Sequence, residues 1–499
     1  FLHYQYTVEG LVLCQYGLKF SKYSYFMKIL QMVMYSSLGA VRPSVALFEE
    51  LDVKHVLLDT VSYIILDDCL RCGLHQETET LCGHLLTFHD ENNKQTLEYA
   101  IRAFNHESFS RIPEFFDFRK RLSVSHQAAV ASVERQILRI RCATSLEQLE
   151  ATIKALNVPV IKGYSSGETL PQLAINEDFK VLMNWDLDTT TSNNNNNFDR
   201  TSTSNNAVAA NIFTAHSKDA TTSAEVTTRP YNIQLKWLSL RSTVLLILHH
   251  IIAKQPTETA ELVQKLEAGL NELQLFNKSA TAWTSFDSQH WSAVIVLFQV
   301  SQKLLAISPS LEKDTYTEND EPKQIQEALA TLTALIASIK KYVLDNFSMS
   351  LSDGTKVFNG YNAGPLALFT AEVLSWTSLL AEFWNKLLPV PSKKKKAQPS
   401  PASTVSEQLR SSLKDLQDHL KQHFTDILSA LASEPATKLE TVHRLLDTSA
   451  LHVPLVGKDE TKEATGVVLK NISGSYTHTI QVLKQIAEVR LNGLKAIKM

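Results

Sequence analysis

Two glycines separated by 34 residues constrain this chain more than any other feature. Gly39 and Gly73 each lie between two stretches whose apolar residues recur at the spacing of an amphipathic helix. In the stretch before the first glycine, this pattern is carried by Met27, Leu30 and Met34. Because glycine readily supplies the left-handed residue that ends a helix, the spacing predicts two consecutive helix-turn-helix units.

A period of 34 residues is that of the tetratricopeptide repeat. Five residues after each glycine stands a small side chain, Ser44 or Thr78, at a place where closely packed repeat helices need little bulk. We interpret the stripe of Met27, Met34 and Phe48 as core, since apolar helix residues are more often buried than used for partners. The predicted fold is all-α: a tetratricopeptide-like helical-repeat solenoid coiled as a right-handed superhelix, with an additional C-terminal helical region.

Composition supports a helical scaffold and gives no general attraction to nucleic acid. The chain has 499 residues, which favours several domains or a lengthening solenoid over one globular core. Its formal net charge is -3, so contact with DNA is not expected, and any contact with RNA needs a local basic patch. Five cysteines, an odd number, indicate a reducing compartment, and we predict a cytoplasmic location. We also expect further repeats to precede Phe1, and no association with a membrane.

Changes in composition divide the chain into five parts. The stretch from Thr189 to Arg229 is rich in Thr, Ser and Asn and is expected to be partly disordered, because it lacks the apolar residues that offset the entropy of ordering. The predicted parts are helical repeats in 1–160, an irregular segment with this insertion in 161–230, a second helical region in 231–388, a Lys/Pro/Ser-rich linker in 389–405, and C-terminal helices in 406–499.

Cysteine and histidine pairs do not form a predicted metal site. Cys69 and Cys72 have the two-residue spacing of zinc ligands, but no second pair stands at a fitting distance, so we interpret them as core residues. His249 and His250 are adjacent on a predicted helix and therefore face different directions. Neither pair is expected to bind a metal.

Acidic pairs and known catalytic motifs give no sign of an enzyme. Asp67, Asp68, Asp186 and Asp188 are interpreted as solvated residues at helix ends, because no partner for acid-base catalysis is indicated. The sequence contains no Walker-type loop, no Gly-x-Ser-x-Gly elbow and no acetyl-CoA pyrophosphate loop. We predict no catalytic residues, no cofactor site and no metal site in this chain.

The one basic run consists of four consecutive lysines, Lys393, Lys394, Lys395 and Lys396. Such a run can contact phosphate with release of counterions, and we name these residues as a candidate contact with RNA. An import signal and a solvated linker are the alternatives, since short lysine runs are common in charged spacers.

Several segments resemble the auxiliary subunit of the NatB N-terminal acetyltransferase. They include stretches early in the chain and an aromatic-rich stretch further on, and the resemblance is most specific in the first third. The segments are Leu51–His55, Leu58–Tyr63, Arg111–Arg119, residues 176–179, residues 184–186 and Gly364–Leu366.

This resemblance implies a noncatalytic subunit that wraps a small catalytic acetyltransferase in a heterodimer and helps to position it at the ribosome. The complex is expected to acetylate nascent chains that start with Met-Asp, Met-Glu, Met-Asn or Met-Gln, including proteins of the actin cytoskeleton. Acetyl-CoA is expected only in the catalytic partner. The alternative from the repeats alone is a tetratricopeptide adaptor in a chaperone or trafficking complex, without an acetyltransferase.

Overall fold

The computed structural model describes residues 2–178, 181, 225–277, 285–316, 320–350, 354, 356–389, 400–433 and 459–496. Residues 189–224 and Lys393–Lys396 lie outside the described residues, as do Asp186 and Asp188.

The first described part, up to residue 178, is a series of helices and one short 3-10 turn at Leu170–Gln172. Its helices are α1 (Leu2–Phe20), α2 (Tyr25–Ser37), α3 (Val41–Glu50), α4 (Val56–Val61), α5 (Tyr63–Arg71), α6 (His75–Asn105), α7 (Arg111–Ser123), α8 (His126–Cys142), α9 (Leu146–Lys154) and α10 (Val158–Ser166).

Longer helices make up most of the rest. A two-stranded antiparallel sheet joins β1 (Ser348–Ser350) to β2 (Lys356–Phe358), and a π-helical segment, Phe369–Leu374, separates two α-helices. The helices are α11 (Glu225–Ile252), α12 (Pro256–Asn277), α13 (Ser285–Glu312), α14 (Glu321–Asp345), α15 (Ala363–Leu368), α16 (Ser375–Leu387), α17 (Pro401–Leu431) and α18 (Asp459–Ala496). The predicted all-α helical-repeat class is confirmed.

Both repeat glycines occupy the conformation that the sequence predicts for them. Gly39 lies between α2 and α3 with φ 69°, and Gly73 lies between α5 and α6 with φ 71°. Ser44 and Thr78 are buried, and each hydroxyl donates a hydrogen bond to a backbone carbonyl, of Met32 and of Leu74 respectively. The small side chains therefore allow close helix packing while satisfying their own polar atoms.

The methionines of the first stripe pack against glycines of α1. A Cβ added at Gly10 would lie 2.9 Å from Sδ of Met34, and one added at Gly17 would lie 2.8 Å from Sδ of Met27. The two glycines and the two methionines share the same seven-residue spacing, so the thioethers fit side by side along the face of α1. Phe48 is buried in a cluster with α5. The interpretation of this stripe as packing residues agrees with these contacts.

The last helix returns to the first repeat. α18 packs along α17 and also against α1 and α3, at the other end of the sequence. The Tyr476 hydroxyl on α18 donates a 2.8 Å hydrogen bond to the carbonyl of Leu38, next to the glycine turn. One continuous core cluster accordingly contains residues from Val8 to Leu494. The C-terminal helices close against the repeats through this core.

Helix ends differ from two of the predicted part boundaries. α10 runs from Val158 to Ser166 and crosses the boundary predicted at residue 160, because a proline at its second position favours a new helix start there. α11 begins at Glu225, within the Thr/Ser/Asn-rich stretch that was expected to extend to Arg229.

Three helical stretches are long and apolar enough to cross a bilayer by length and composition alone: Gln234–Ile252, Phe286–Glu312 and Ala363–Leu387. Within the fold, 67%, 56% and 89% of their most apolar windows are buried. Their apolar faces supply much of the core, and this burial explains why these helices are so apolar. In the sequence, the apolar character is most evident around Val244–Ala253.

Candidate scaffold site

The two cysteines at zinc-like spacing are core residues. Cys69 and Cys72 are buried in a cluster with Met32, Val41 and Phe48, and both are free thiols. Burial raises the pKa of the Cys72 thiol to about 12 and that of Cys69 well above its usual value. A thiol that stays protonated is a poor metal ligand, so the packing interpretation agrees with the structure.

The acidic pair lies in the middle of α5, which corrects its predicted position at a helix end. The helix continues past Asp67 and Asp68 to Arg71, just before the glycine turn. The Asp67 side chain is exposed, and desolvation by its surroundings and the nearby Glu134 carboxylate raise its pKa to about 6. His249 and His250 lie in the last turn of α11 and are only partly buried.

A buried polar cluster joins α4, α6, α8 and the chain around residue 176. The Asp59 carboxylate has no exposed surface and lies 2.9 Å from Nε2 of His89. It accepts further hydrogen bonds from the Ser125 hydroxyl and, at 2.8 Å, from the Asn176 amide. The Ser125 hydroxyl also accepts from the backbone N–H of Ala128 and so caps α8.

This cluster contains a serine, a histidine and an aspartate, but its geometry is not that of a nucleophilic triad. In a triad the histidine lies between the other two and takes the proton of the serine. Here Ser125 and His89 both contact the same Asp59 oxygen, Oδ1. The Ser125 hydroxyl therefore donates to a carboxylate that also contacts His89 and Asn176, and neither His89 nor His126 is hydrogen-bonded to that hydroxyl. The cluster fixes helices in place.

An extended strap, residues 173–178, completes the cluster. Ala174 pairs with Ser125 as an isolated parallel bridge, and the backbone N–H of Asp178 donates to the carbonyl of Thr60 at 2.8 Å. Nδ1 of the buried His126 lies 2.7 Å from Glu177. Two segments that carry the family resemblance, 58–63 and the described residues 176–178, thus meet in space although more than 100 residues separate them.

A second cluster, centred on ion pairs, joins the repeats to the later helices. It centres on Glu372 of the π-helical segment, whose Oε1 accepts from Nε of Arg141 at 2.9 Å and from Arg241 at 3.2 Å. Oε2 of the same carboxylate lies 3.0 Å from Nε2 of His290. Arg241 is also paired with Glu134 through two contacts of 2.7 Å. All five side chains are buried.

The opposite charges in this ionic cluster stabilise one another despite their burial. Burial alone raises the pKa of the Glu372 carboxyl, but the guanidinium groups of Arg141 and Arg241 outweigh burial and hold it well below its usual range. Arg141 also donates to the carbonyl of Leu70 on α5 at 3.0 Å. The cluster therefore ties α5, α8, α11, α13 and the π-helical segment together through one carboxylate.

Sequence reasoning did not find either cluster. The members of the Asp59 cluster are spread over more than 100 residues and those of the Glu372 cluster over more than 200, so only the tertiary fold brings them together. The available clue was a charged residue on an otherwise apolar helix face, such as Glu372 between Ala371 and Val373. Among the described residues, no group of three or more His, Cys, Asp or Glu side chains is arranged to hold a metal ion.

Comparison with known proteins finds relatives of the first third of the chain. Residues 3–179 match the family model described as the non-catalytic subunit of the N-acetyltransferase B complex, NatB. The human NatB auxiliary subunit, N-alpha-acetyltransferase 25, is 32% identical over 179 residues, which are 36% of this chain and 18% of that protein. The Arabidopsis thaliana auxiliary subunit NAA25 is 29% identical over 182 residues, 36% of this chain and 17% of that protein.

The aligned segments thus span less than a fifth of the curated relatives. A chain of a solved NatB acetyltransferase complex bound to a bisubstrate inhibitor matches the fold more widely, with a TM-score of 0.50, 15% identity, and coverage of 97% of this chain and 52% of that chain. The description of the family as non-catalytic agrees with the prediction that this chain is not itself an enzyme. Residues 3–179 are therefore similar to the non-catalytic NatB subunits, and most of the chain shares its fold with a chain of that complex.

Proposed function

We propose that this chain acts as the noncatalytic auxiliary subunit of a NatB-type N-terminal acetyltransferase and holds its catalytic subunit as a heterodimer. The observation that carries this proposal is the family match of residues 3–179. The two buried clusters support it, because they fix helices rather than perform chemistry. A rigid superhelix suits a scaffold, since stacking fixes the row of side chains that a partner meets.

The finer parts of the proposal concern where the complex works and on what. It acetylates nascent chains that begin with Met-Asp, Met-Glu, Met-Asn or Met-Gln, in the cytoplasm and at the ribosome. Acetyl-CoA is held by the catalytic partner, and this chain supplies no cofactor site. The run from Lys393 to Lys396 contacts ribosomal RNA.

The experiment is affinity purification of the full-length protein from cells, followed by mass spectrometry and an acetylation assay on a Met-Asp peptide. We expect a small acetyltransferase in equal amount and transfer to this peptide, with little transfer to a matched Met-Lys peptide. Chaperones or trafficking factors without acetyltransferase activity would instead support the adaptor alternative.

The ribosome contact needs a separate test. Replacement of all four lysines, Lys393 to Lys396, by Ser is expected to reduce co-sedimentation of the complex with ribosomes at low salt, because phosphate contacts weaken as cations are removed. Replacement of four exposed lysines elsewhere, Lys22, Lys54, Lys94 and Lys254, is the matched control. If the unchanged protein, the variant of the lysine run and the control variant all co-sediment equally, the lysine run is a solvated linker.

A further inference from the structure

The hairpin formed by the second half of α6 and by α7 is the most exposed helical element of the first repeats. α7 packs chiefly against α6, and in this helix only Leu122 is buried. In the second half of α6, burial is confined to Thr96, Ala100 and Ala103. The hairpin therefore projects from the fold with most of its surface in solvent.

One face of this hairpin carries an apolar stripe. Leu97, Ile101 and Phe104 stand at i, i+4 and i+7 on α6, the spacing by which a helix normally buries one side. Ile101 is 61% exposed and Phe104 62% exposed. The ring of Phe109 at the hairpin tip packs edge-on against Phe104, with centroids 5.5 Å apart, and extends the stripe. Contiguous exposed apolar surface of this kind marks interaction sites.

Exposed aromatic side chains also lie on α7, where residues two apart point to different faces of the helix. Phe116 and Phe118 are exposed, and they belong to the segment Arg111–Arg119 that contributes to the family resemblance. On α6, the Tyr99 ring stacks with Phe115 at 6.2 Å between centroids, which braces the two helices against each other. The apolar surface is thus held on a rigid pair of helices and not on a loop.

The charge around the stripe is positive although the chain as a whole is negative. Residues 94–123 contain six Lys or Arg and four Asp or Glu, against a net charge of -3 for the chain. Arg111 is paired with Glu114. Arg119, Lys120 and Arg121 follow one another near the end of α7, where Arg121 also donates to the Asn176 side chain at 3.4 Å. Because the two helices are antiparallel, this basic turn lies at the Leu97 end of the stripe.

We propose that the α6–α7 hairpin is a docking surface for an amphipathic helix of a protein partner whose apolar stripe is flanked by acidic residues. An i, i+4, i+7 stripe is complementary to another helix, and the basic turn of α7 selects acidic flanks. The inference rests on the proposed scaffold function only in requiring that the chain binds protein partners.

The test measures binding of a labelled synthetic helical peptide of about 20 residues to the full chain. One peptide has a leucine stripe with Glu flanks, and its matched partner has Lys in place of each Glu. We expect the acidic peptide to bind about tenfold more tightly than the basic one. The double variant Ile101→Ser with Phe104→Ser should lose this binding, and Arg119→Gln with Arg121→Gln should remove the preference between the two peptides.

A matched control is the double variant Phe20→Ser with Tyr23→Ser, which removes two exposed aromatic rings far along the sequence from the hairpin. It should bind like the unchanged chain, and circular dichroism should show equal helix content in all variants. Equal affinity for both peptides, or binding that survives the Ile101 and Phe104 changes, would overturn the inference. So would an RNA oligonucleotide that competes at the hairpin, or self-association of the chain that the hairpin variant abolishes.

The hairpin variant is also compared with the unchanged chain in the affinity purification described above. If an acetyltransferase co-purifies with the unchanged chain but peptide binding does not depend on the hairpin, the inference fails and the scaffold function stands. If no acetyltransferase co-purifies but the acidic peptide depends on Ile101 and Phe104, the docking surface stands and the proposed function fails.

Discussion

At the scale of single residues, the closure of the fold depends on one ring and one glycine. Tyr476 of α18 is buried, and its ring packs edge-on against Phe358 at 5.1 Å between centroids. A Cβ added at Gly360 would lie 2.1 Å from this ring, far inside van der Waals contact. The absence of a side chain at Gly360 is therefore what lets Tyr476 reach the carbonyl of Leu38.

Substitution Gly360→Ala is expected to destabilise the protein by about 3 kcal/mol, because the buried ring must shift within a packed core. The milder change Tyr476→Phe keeps the ring and removes one hydrogen bond, at a cost of about 1 kcal/mol. Chemical denaturation measures both. The control is Gly466→Ala in α18, where nothing lies within 4 Å of the added methyl, and it should stabilise the helix slightly. A Gly360→Ala protein as stable as this control would contradict the packing argument.

At the scale of elements, buried charges rather than apolar stripes decide how the helices of the two halves meet. Glu372 contacts side chains from α8, α11 and α13 at once. Removal of one member of a buried ionic cluster leaves its partners uncompensated, which costs more than the pair itself contributes.

Substitution Glu372→Gln is therefore expected to lower the free energy of unfolding by about 3–5 kcal/mol. The control is Glu382→Gln on α16, whose partner Lys386 is largely exposed, and its effect should be below about 0.5 kcal/mol. Urea denaturation compares the two. Similar midpoints for both variants would show that the ionic cluster does not hold the helices together.

A buried histidine on α17 makes stability depend on pH. Burial, Lys340 and His419 lower the pKa of His423 to about 4, and the nearby Asp426 opposes this only partly. Above pH 6.5, His423 is neutral in both the folded and the unfolded chain and does not reduce stability. As the pH falls from 6.5 toward 4, the unfolded chain binds a proton at His423 and the folded chain does not, so the free energy of unfolding decreases.

We expect His423→Gln to reduce the loss of stability between pH 7 and pH 5 by about 1–2 kcal/mol relative to the unchanged protein. Thermal unfolding at the two pH values gives the comparison. His106→Gln, which changes an exposed histidine on the projecting hairpin, serves as the control and should follow the unchanged protein. If both variants lose the same stability between pH 7 and pH 5, His423 is not the source of the pH dependence.

The repeats were predictable from the sequence, and the clusters were not. Gly39 and Gly73 reveal the helix-turn-helix units because a left-handed residue and a 34-residue period are local properties. Asp59 and Glu372 acquire their roles from partners far along the chain, so no local pattern contains them. The position of Asp68 was misjudged for the same reason, since α5 continues beyond it under tertiary packing.

At the scale of the whole molecule, the C-terminal helix makes the described parts one cooperative body. α18 contacts α1, α3 and α17, and its buried Arg490 donates to the carbonyl of Ala143 at the end of α8. Such a closed arrangement couples the ends of the sequence, because loss of α18 exposes apolar faces of both the first repeat and the later helices.

Removal of residues 459–499 is expected to raise amide hydrogen exchange in α1 and α3, where the last helix packs, more than in the exposed helix α7. Mass spectrometry of exchanged peptides gives the comparison, with the full chain as reference. Unchanged exchange in α1 would mean that the first repeat is stable without its C-terminal cover.

The central claim is that this chain contributes structure and not chemistry to an N-terminal acetyltransferase. The most direct test is an acetylation assay on a Met-Asp peptide with the full-length protein alone, its co-purified catalytic subunit alone, and the two recombined. The account predicts no transfer by this protein alone, weak transfer by the catalytic subunit, and full activity only when both are present. Transfer by this protein without a partner, or full activity of the catalytic subunit in its absence, would contradict the claim.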